Sequence, residues 1–280
     1  MAQHLEGIVQ PTIHPRIQEF FRQQSLAFVS STDGEGMRWA SVVGGLPGFL
    51  NAVDGTTLHV GRAPTVSDPL HENLRVNADV GLLIIDFANR LRVRLNGSAQ
   101  LRPDGTFYVH ARQVYPNCSK YIQARRFEIN TSTQQSTSRV SRSDRLTRRQ
   151  QHWIKEADTF IIASAHQEGG ADASHRGGNP GFITTPDTNT IIWPDYAGNM
   201  MFNTLGNISA NPRAGLLFLD FDTGSTLQLT GEAKIVWDDA QIATYAGACR
   251  LVSFRAEQVL EISSVLPLRW AFEGYSPYNP

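Results

Sequence analysis

The sequence predicts a mainly β protein with capping helices, of the α+β class, in which one small β-barrel unit is present twice. Two observations lead to this prediction. Residues 15–28 and residues 147–160 both read as an amphipathic helix that runs into a strand. The segments 91–101 and 226–235 alternate apolar and polar residues, as half-buried antiparallel strands do.

The repeat is clearest at a glycine-rich turn and at the apolar strand that follows it. Residues 44–49 read Gly-Gly-Leu-Pro-Gly-Phe, and residues 177–182 read Gly-Gly-Asn-Pro-Gly-Phe. The strand that ends in Leu-Leu-Ile-Ile-Asp-Phe at residue 87 has its counterpart in Leu-Leu-Phe-Leu-Asp-Phe at residue 221. We therefore expect a first repeat over 1–127, a Ser/Thr/Arg-rich linker over 128–146 and a second repeat over 147–280.

Local signals place the elements of each repeat. Pro15 suits the first turn of a helix, and Thr147 with Gln150 has the spacing of a capping box. Gly97 and Gly231 interrupt the two alternating strands, where a glycine marks a bulge. These strands should place apolar residues inward and polar residues outward. The remaining predicted elements are helices at 69–77 and 203–211 and strands at 27–31, 57–60, 80–85, 106–114, 160–164, 190–193, 214–219 and 251–262.

Composition excludes several classes of protein. The formal net charge is −1, from 25 Lys and Arg against 26 Asp and Glu, so a chain-wide surface for nucleic acid is not expected. No apolar run approaches the roughly 20 residues of a membrane span, and the first ten residues lack a secretory signal. With two distant cysteines and no histidine motif, we expect no disulfide framework, no metal site and a cytoplasmic location.

The second half of the linker is basic, with arginines at 139, 142, 145, 148 and 149. A nucleic-acid or acidic-partner patch is one interpretation, and a solvated linker is the other. The absence of interleaved aromatic residues favours the solvated linker.

Polar residues around the second glycine-rich turn are the candidates for binding chemistry. Ser174-His175-Arg176 precedes this turn, where the first repeat has Ser41-Val42-Val43. The next loop and helix start carry Asp195, Asn199, Asn203 and Thr204. An arginine, hydroxyl and amide donors and a helix N-terminus together could hold a phosphate group, or these residues could merely cap turns.

The ordered motifs resemble the pyridoxamine 5'-phosphate oxidase-like superfamily of flavin-binding split β-barrels. The resemblance is carried by Ser174 to Phe182, Pro194 to Asn199 and Asn211 to Phe218, and both repeats together cover nearly the whole chain. The tail of the first repeat, Val114 to Tyr121, also resembles a family ending with Cys and Lys. The resemblance implies two tandem split β-barrels that form an intramolecular pseudo-dimer.

The resemblance also implies a cofactor site between the barrels. FMN is expected there, with FAD, a deazaflavin or haem as alternatives, since Met200-Met201 stand where many relatives have a cation. The second barrel would contribute Ser174, Arg176, Asn199 and Asn203 or Thr204, with His175 and Asp195 adjacent. The first barrel would reach across with Lys120 and with Arg92 or Arg94. The partner site, with Val43 at the place of Arg176, would be empty, giving one flavin per chain.

The function implied is that of an FMN-dependent oxidoreductase or oxidase acting on a small organic substrate. Alternatives are a non-catalytic flavin- or haem-binding barrel and an electron-transfer component served by a separate flavin or ferredoxin reductase. The resemblance fits a monomeric pseudo-dimer or a homodimer, without nucleic acid or membrane partners. No residue is identified as catalytic.

Overall fold

A computed structural model describes residues 9–129, 138–198 and 201–280, which form five helices and sixteen strands. The helices are α1 (Pro15–Gln23), α2 (Leu70–Val76), α3 (Arg148–Glu156), α4 (Asn203–Ala210) and α5 (Asp239–Ile242). The strands of the first half are β1 (Leu26–Thr32), β2 (Arg38–Gly44), β3 (Leu50–Ala52), β4 (Thr57–Val60), β5 (Asp79–Asp86), β6 (Leu91–Leu101), β7 (Phe107–Asn117) and β8 (Ala124–Ile129). The strands of the second half are β9 (Val140–Ser143), β10 (Thr159–His166), β11 (Gly170–Gly177), β12 (Thr190–Tyr196), β13 (Arg213–Leu219), β14 (Thr226–Val236), β15 (Ala248–Ile262) and β16 (Leu268–Gly274).

Two antiparallel sheets repeat the same order of strands, which confirms the prediction of two tandem barrels. The first sheet runs β2-β1-β5-β6-β7-β4-β3, and the second runs β11-β10-β13-β14-β15-β12 with β9 added beside β15. Strands β8 and β16 pair with each other, so the tail of the first repeat and the end of the second are joined. Among the described helices, none is long and apolar enough to cross a membrane.

The structure confirms the helix starts and bulges that the local signals in the sequence predict. Thr147 and Gln150 form the capping box of α3, and Pro15 lies in the first turn of α1. The register between strands shifts next to Gly97 and next to Gly231. An added Cβ at either position would lie 2.0 Å from a carbonyl oxygen of the neighbouring strand, so the bulge requires glycine there. The two predicted bulges are therefore present at matching places.

Each barrel has its own apolar core, and a third core lies between the barrels. Strand β1 shows how this works, since Ala27 and Val29 pack inside the first barrel while Leu26 and Phe28 face the second. All seven residues of β1 are buried for this reason. The core between the barrels also contains Ala40, Val42, Leu83, Ile85, Phe87, Ile161, Ala163, Ala173, Leu217, Leu219, Phe221 and Trp270.

Two glycines allow the barrels to approach closely. A Cβ at Gly81 would lie 2.5 Å from the carbonyl oxygen of Ala171, and one at Gly215 would lie 2.4 Å from that of Arg38. Each contact joins one barrel to the other, and the two are related by the repeat. The glycine in each apolar strand is thus required by the interface between barrels.

The outward face of the alternating strands differs from the prediction. Arg94 and Asn96 on β6, and Gln228 and Thr230 on β14, were expected on a solvent face but are buried. The opposite barrel covers them, so polar residues of both strands form contacts within the interface. The expectation that Leu91 points inward is also wrong, since its side chain is 52% exposed.

Part of the predicted linker is ordered as a strand. Residues 140–143 form β9, which pairs with Val259 to Ile262 of β15 and covers that edge, and β8 extends to residue 129. In the basic stretch, Arg149 bonds both carboxylate oxygens of Glu261, at 2.6 and 2.5 Å. Residues 130–137 lie outside the described part of the chain.

Candidate functional site

A cleft lies between the two barrels and is lined by residues of both. The first barrel contributes the end of β7, the loop after it and two residues of β6. The second barrel contributes β11, the end of β12 and the first turn of α4.

Three cations in this cleft have no carboxylate within ion-pair distance among the described residues: Arg92, Arg176 and Lys120. Arg92 and Lys120 come from the first barrel and Arg176 from the second. Burial and the neighbouring Arg94 and Arg176 lower the pKa of Arg92 to about 9, which leaves it charged at neutral pH. The cleft therefore holds an excess of positive charge that an anion would neutralise.

Arg94, in contrast, is fully engaged by the protein. Its guanidinium pairs with Asp172 at 3.0 Å and donates to Ser174 Oγ at 2.6 Å and to the hydroxyl of Tyr115 at 2.8 Å. It also donates to the carbonyl oxygen of Ala173 at 3.1 Å. Because the Asp172 carboxylate balances its charge, Arg94 holds the two barrels together at the floor of the cleft.

Ser174 is part of the same network. Its hydroxyl accepts from Arg94 and from Thr204 Oγ1 (2.9 Å), and it donates to Asp172 Oδ2 (3.2 Å). A hydroxyl has one donor and two acceptor positions, so these three bonds use all of them. The hydroxyl of Ser174 would have to leave one of these partners to bind a ligand.

His175 is buried beside the uncompensated arginines. Arg92 donates to His175 Nδ1 at 3.1 Å, which assigns the ring proton to Nε2 in the neutral imidazole. Burial, followed by the charges of Arg92 and Arg176, holds the pKa of His175 well below its usual range. His175 Nε2 and Arg92 Nε are both buried with no partner among the described residues.

Helix α4 begins at the cleft without a side-chain cap. Phe202 precedes it with a left-handed backbone (φ 50°), and the first N–H groups of a helix have no partner within the helix. The side-chain amide of Asn203 is oriented so that its nitrogen donates to the carbonyl oxygen of Met201 and its oxygen accepts from Tyr115 and Arg94. The helix start therefore presents backbone N–H donors beside the three cations.

Aromatic side chains form the rim of the cleft. The rings of Tyr121 and Tyr196 lie 5.1 Å apart, and burial raises the pKa of Tyr196 to about 12. Arg250 pairs with Asp195 at 3.5 Å and lies between the rings of Phe202 and Trp237, at 5.2 and 5.3 Å from their centroids. Phe202 is 51% exposed, so the mouth of the cleft offers an aromatic surface next to the charged floor.

The structure brings most of the predicted site residues together. The cleft is lined by Ser174, His175, Arg176, Asp195, Asn203, Thr204, Arg92 and Lys120. Asn199 lies outside the described residues. Within this group Ser174, Asp195, Asn203 and Thr204 already bond other groups of the protein, and the roles assigned to all of these residues in cofactor binding stay predictions.

Several residues of the cleft were missed. Tyr115, which bonds Arg94 and Asn203, follows Val114 in the predicted tail of the first repeat, and Asp172 lies two residues before Ser174 on the same strand. The period of two along β11 could have indicated that Asp172 and Ser174 share a face. Phe202, Tyr121 and Tyr196 carried no local signal, because their proximity depends on how the barrels dock.

A second cleft occupies the matching place on the other side of the interface. It is lined by Val42, Val43, Gly44, Gly61, Arg62, Ala63, Pro64, Thr65, Val66, Val265, Leu266 and Pro267. We call it the twin cleft. Val43 lies opposite Ala27 as Arg176 lies opposite Phe160, which confirms that a valine holds the arginine's place.

Comparison with solved structures finds proteins about as long as one barrel. HupZ of Group A Streptococcus is 15% identical, with a TM-score of 0.33, and covers 40% of this chain and 90% of its own. A putative pyridoxamine 5'-phosphate oxidase from Lactobacillus delbrueckii is 15% identical, with a TM-score of 0.33, and covers 42% of this chain and 94% of its own. A FAD-binding protein from Mesorhizobium loti is 10% identical, with a TM-score of 0.31, and covers 46% of this chain and 99% of its own.

A search of curated proteins gave no match. The family model described as pyridoxamine 5'-phosphate oxidase matches the chain twice, over residues 13–137 and 146–272. These ranges include both barrels and the strands that line both clefts. The chain therefore belongs to the pyridoxamine 5'-phosphate oxidase family and carries its characteristic domain in tandem.

Proposed function

We propose that this protein is an FMN-dependent oxidoreductase that binds one flavin per chain in the cleft between its barrels. The observation that carries the proposal is the set of three cations without an ion-pair partner among the described residues, Arg92, Arg176 and Lys120, beside the uncapped start of α4. A phosphate monoester carries close to two negative charges at neutral pH. The donor set therefore suits the phosphate of FMN, and the family to which the chain belongs favours a flavin.

Each donor would act in a distinct way. The Arg176 guanidinium is planar and can offer two parallel N–H groups, whereas Lys120 offers a compact charge. The unpartnered Nε groups of Arg92 and His175 would gain an acceptor if a ligand oxygen reached them. Arg94 would keep the barrels in register rather than bind the ligand, because Asp172 already neutralises it.

The bound flavin would supply hydride or electron transfer, and the chain's own residues would bind it and shape access. The aromatic rim formed by Tyr121, Tyr196 and Phe202 lies where a small organic substrate would enter. The neutral ring of His175 could carry a proton on Nε2. Because the ring is buried, we expect it to contact the cofactor rather than the substrate. We assign no general base.

These donors select an anionic group such as a phosphate, but they do not distinguish between cofactors that carry one. FAD, a deazaflavin or haem are alternative occupants. A flavin or haem carrier and an electron-transfer component with a separate reductase are alternative functions.

Both cysteines, Cys118 and Cys249, are free thiols, which accords with the reducing cytoplasm that we propose as the location. A single chain already contains both barrels, so a monomeric pseudo-dimer would suffice, and a homodimer is also compatible.

The first experiment is an absorbance spectrum of the purified protein, followed by mass spectrometry of the compound that heating releases. One equivalent of FMN per chain supports the proposal, and oxygen consumption with added organic reductants then separates an oxidase from a carrier. Haem, FAD or a deazaflavin would replace FMN in the proposal. A colourless protein that does not bind added FMN would contradict it.

Variants locate the site. Arg176→Ala in the cleft should weaken FMN binding, whereas Arg62→Ala in the twin cleft is a matched control that should not. Equal effects of the two variants would place the phosphate elsewhere.

A further inference from the structure

The two clefts are related by a precise correspondence of residues. Residues of β1 and β2 match β10 and β11 at an offset of 133, and residues of α2, β5 and β6 match α4, β13 and β14 at an offset of 134. Arg94 donates to the carbonyl oxygen of Ala173, and Gln228 donates to that of Ala40 at 2.9 Å. Asn73 bonds Ser31 at 2.9 Å as Asn207 bonds Ser164 at 3.0 Å. Ser41, Gln228 and Leu70 are therefore the counterparts of Ser174, Arg94 and Thr204.

Next to the residues that line the twin cleft, these three counterparts all bond one carboxylate, that of Asp68. Its Oδ1 accepts from Ser41 Oγ at 2.5 Å and from the backbone N–H of Leu70 at 2.9 Å. Its Oδ2 accepts from Gln228 Nε2 at 3.2 Å, across the interface between the barrels. The donors come from β2, α2 and β14, so distant parts of the chain converge on this group.

Asp68 is an unusual buried acid. Its side chain is only 2% exposed, and among the described residues no Lys, Arg or His lies within ion-pair distance of it. Burial raises the pKa of Asp68 to about 6 against the opposing effect of its three hydrogen bonds. Neutral donors alone therefore hold the carboxylate, as they do in a receptor for a small anion.

The other cleft lacks this carboxylate. Phe202 stands at the position that corresponds to Asp68, and it turns its backbone to the left-handed region while leaving α4 uncapped. The acid of that cleft, Asp172, lies on β11 and bonds Arg94 and Ser174 from the strand side. Asp68, by comparison, also accepts from the backbone N–H of Leu70, at the start of α2, which corresponds to the start of α4 in the first cleft.

We infer that Asp68 is the built-in occupant of a buried anion receptor beside the twin cleft, and that it prevents an external anion from binding to these donors. This inference rests on the proposed function only in taking the matching place of the other cleft to be an anion site. It explains why the chain keeps Ser41 and Gln228 buried and paired although Val43 replaces the arginine. It also gives a reason for one ligand per chain that does not depend on Val43 alone.

Asp68 also caps α2, so the test must separate an occupied receptor from a simple cap. Asp68→Ala removes the carboxylate and leaves a space of about the size of formate, with the donors of Ser41, Leu70 and Gln228 around it. If the receptor is real, formate should occupy that space and stabilise the variant. Asp238→Ala is the matched control, since Asp238 caps α5 through Ala240 and Gln241 but is exposed.

The measurement is the melting temperature at pH 7 in sodium formate and in sodium chloride of equal ionic strength, with no flavin added. We expect about 0.2 M formate to raise the melting temperature of Asp68→Ala by roughly 2–4 °C over chloride. Wild type and Asp238→Ala should show no difference between the salts. If Asp68→Ala does not fold, Asp68→Ser leaves a similar space and takes the same comparison.

Formate that stabilises the variant no more than chloride does would overturn the inference and leave Asp68 as a cap alone. A rise of equal size in all three proteins would also overturn it, because the effect would then be a general one of the salt. Since no flavin is present, a rescue by formate stands even if the protein proves to bind no FMN. Failure of the rescue, in turn, leaves the flavin measurement unaffected.

Discussion

Replacing two arginines of the same cleft by methionine should have very different effects on stability. Among the described residues, Arg176 is partly buried and donates to the carbonyl oxygen of His175 at 3.1 Å, and the attraction of its charge to Asp195 and Asp172 is opposed by Arg94 and Arg92. Arg94 is buried and bonds Asp172, Ser174, Tyr115 and a carbonyl oxygen. We therefore expect Arg176 to serve a ligand and Arg94 to stabilise the protein.

The expected magnitudes follow from these partners. Arg176→Met removes repulsion from Arg94 and Arg92, attraction to Asp195 and Asp172 and no close ion pair, so the free energy of unfolding of the ligand-free protein should change by less than about 1 kcal/mol. Arg94→Met leaves the carboxylate of Asp172 buried and unpaired, which costs about 3–5 kcal/mol. With FMN, Arg176→Met should lose a charge-assisted contact of about 1.5–3 kcal/mol, or roughly 10- to 150-fold in Kd.

Two assays decide the matter. Urea unfolding of the ligand-free proteins gives the free energy of unfolding, and quenching of flavin fluorescence during titration gives Kd. If Arg176→Met destabilises the protein as much as Arg94→Met, Arg176 has a structural partner and the reasoning is wrong. An unchanged Kd in Arg176→Met would remove the arginine from the phosphate site.

Three further predictions follow from other contacts. Lys120→Met should weaken FMN binding several-fold without loss of stability, since the contact of its ammonium group with the described residues is a cation–π contact, 5.8 Å from the ring centroid of Tyr278. An unchanged Kd would show that the site lies within one barrel. Gly215→Val should destabilise by about 1–3 kcal/mol in urea unfolding, because its Cβ would meet the backbone of Arg38, whereas Gly206→Ala, with open space around it, should not. The pKa of Asp68 is about 6 in the folded protein and about 4 in the unfolded chain. Its protonated form therefore stabilises the fold below pH 4, and about 3 kcal/mol of the free energy of unfolding is lost as the pH rises to about 6. Asp68→Asn should flatten that part of the curve of unfolding free energy against pH, and an identical curve would refute the assignment.

The sequence by itself determined the repetition and most of the elements, although it did not predict β2, β3, β8, β9, β11 and β16. The capping box at Thr147 and Gln150, the bulges at Gly97 and Gly231 and the glycine-rich turns each depend on residues a few positions apart. Such interactions are local, so the pattern of residue types is enough to place them. The same comparison of repeats identified Arg176 against Val43 and thus the more polar of the two clefts.

Only the tertiary structure decided how the polar residues are used. Alternation along β6 and β14 predicted a solvent face, but docking of the barrels buries Arg94 and Gln228 and gives them partners about 80 and 190 positions away. Ser174 and Thr204 were predicted as ligand donors, and the structure shows that they also bond each other within the interface. Asp68 carried no signal in the sequence, because its burial and its three donors exist only when β2, α2 and β14 meet. Contacts of this kind depend on the geometry between distant segments, which residue order does not encode locally.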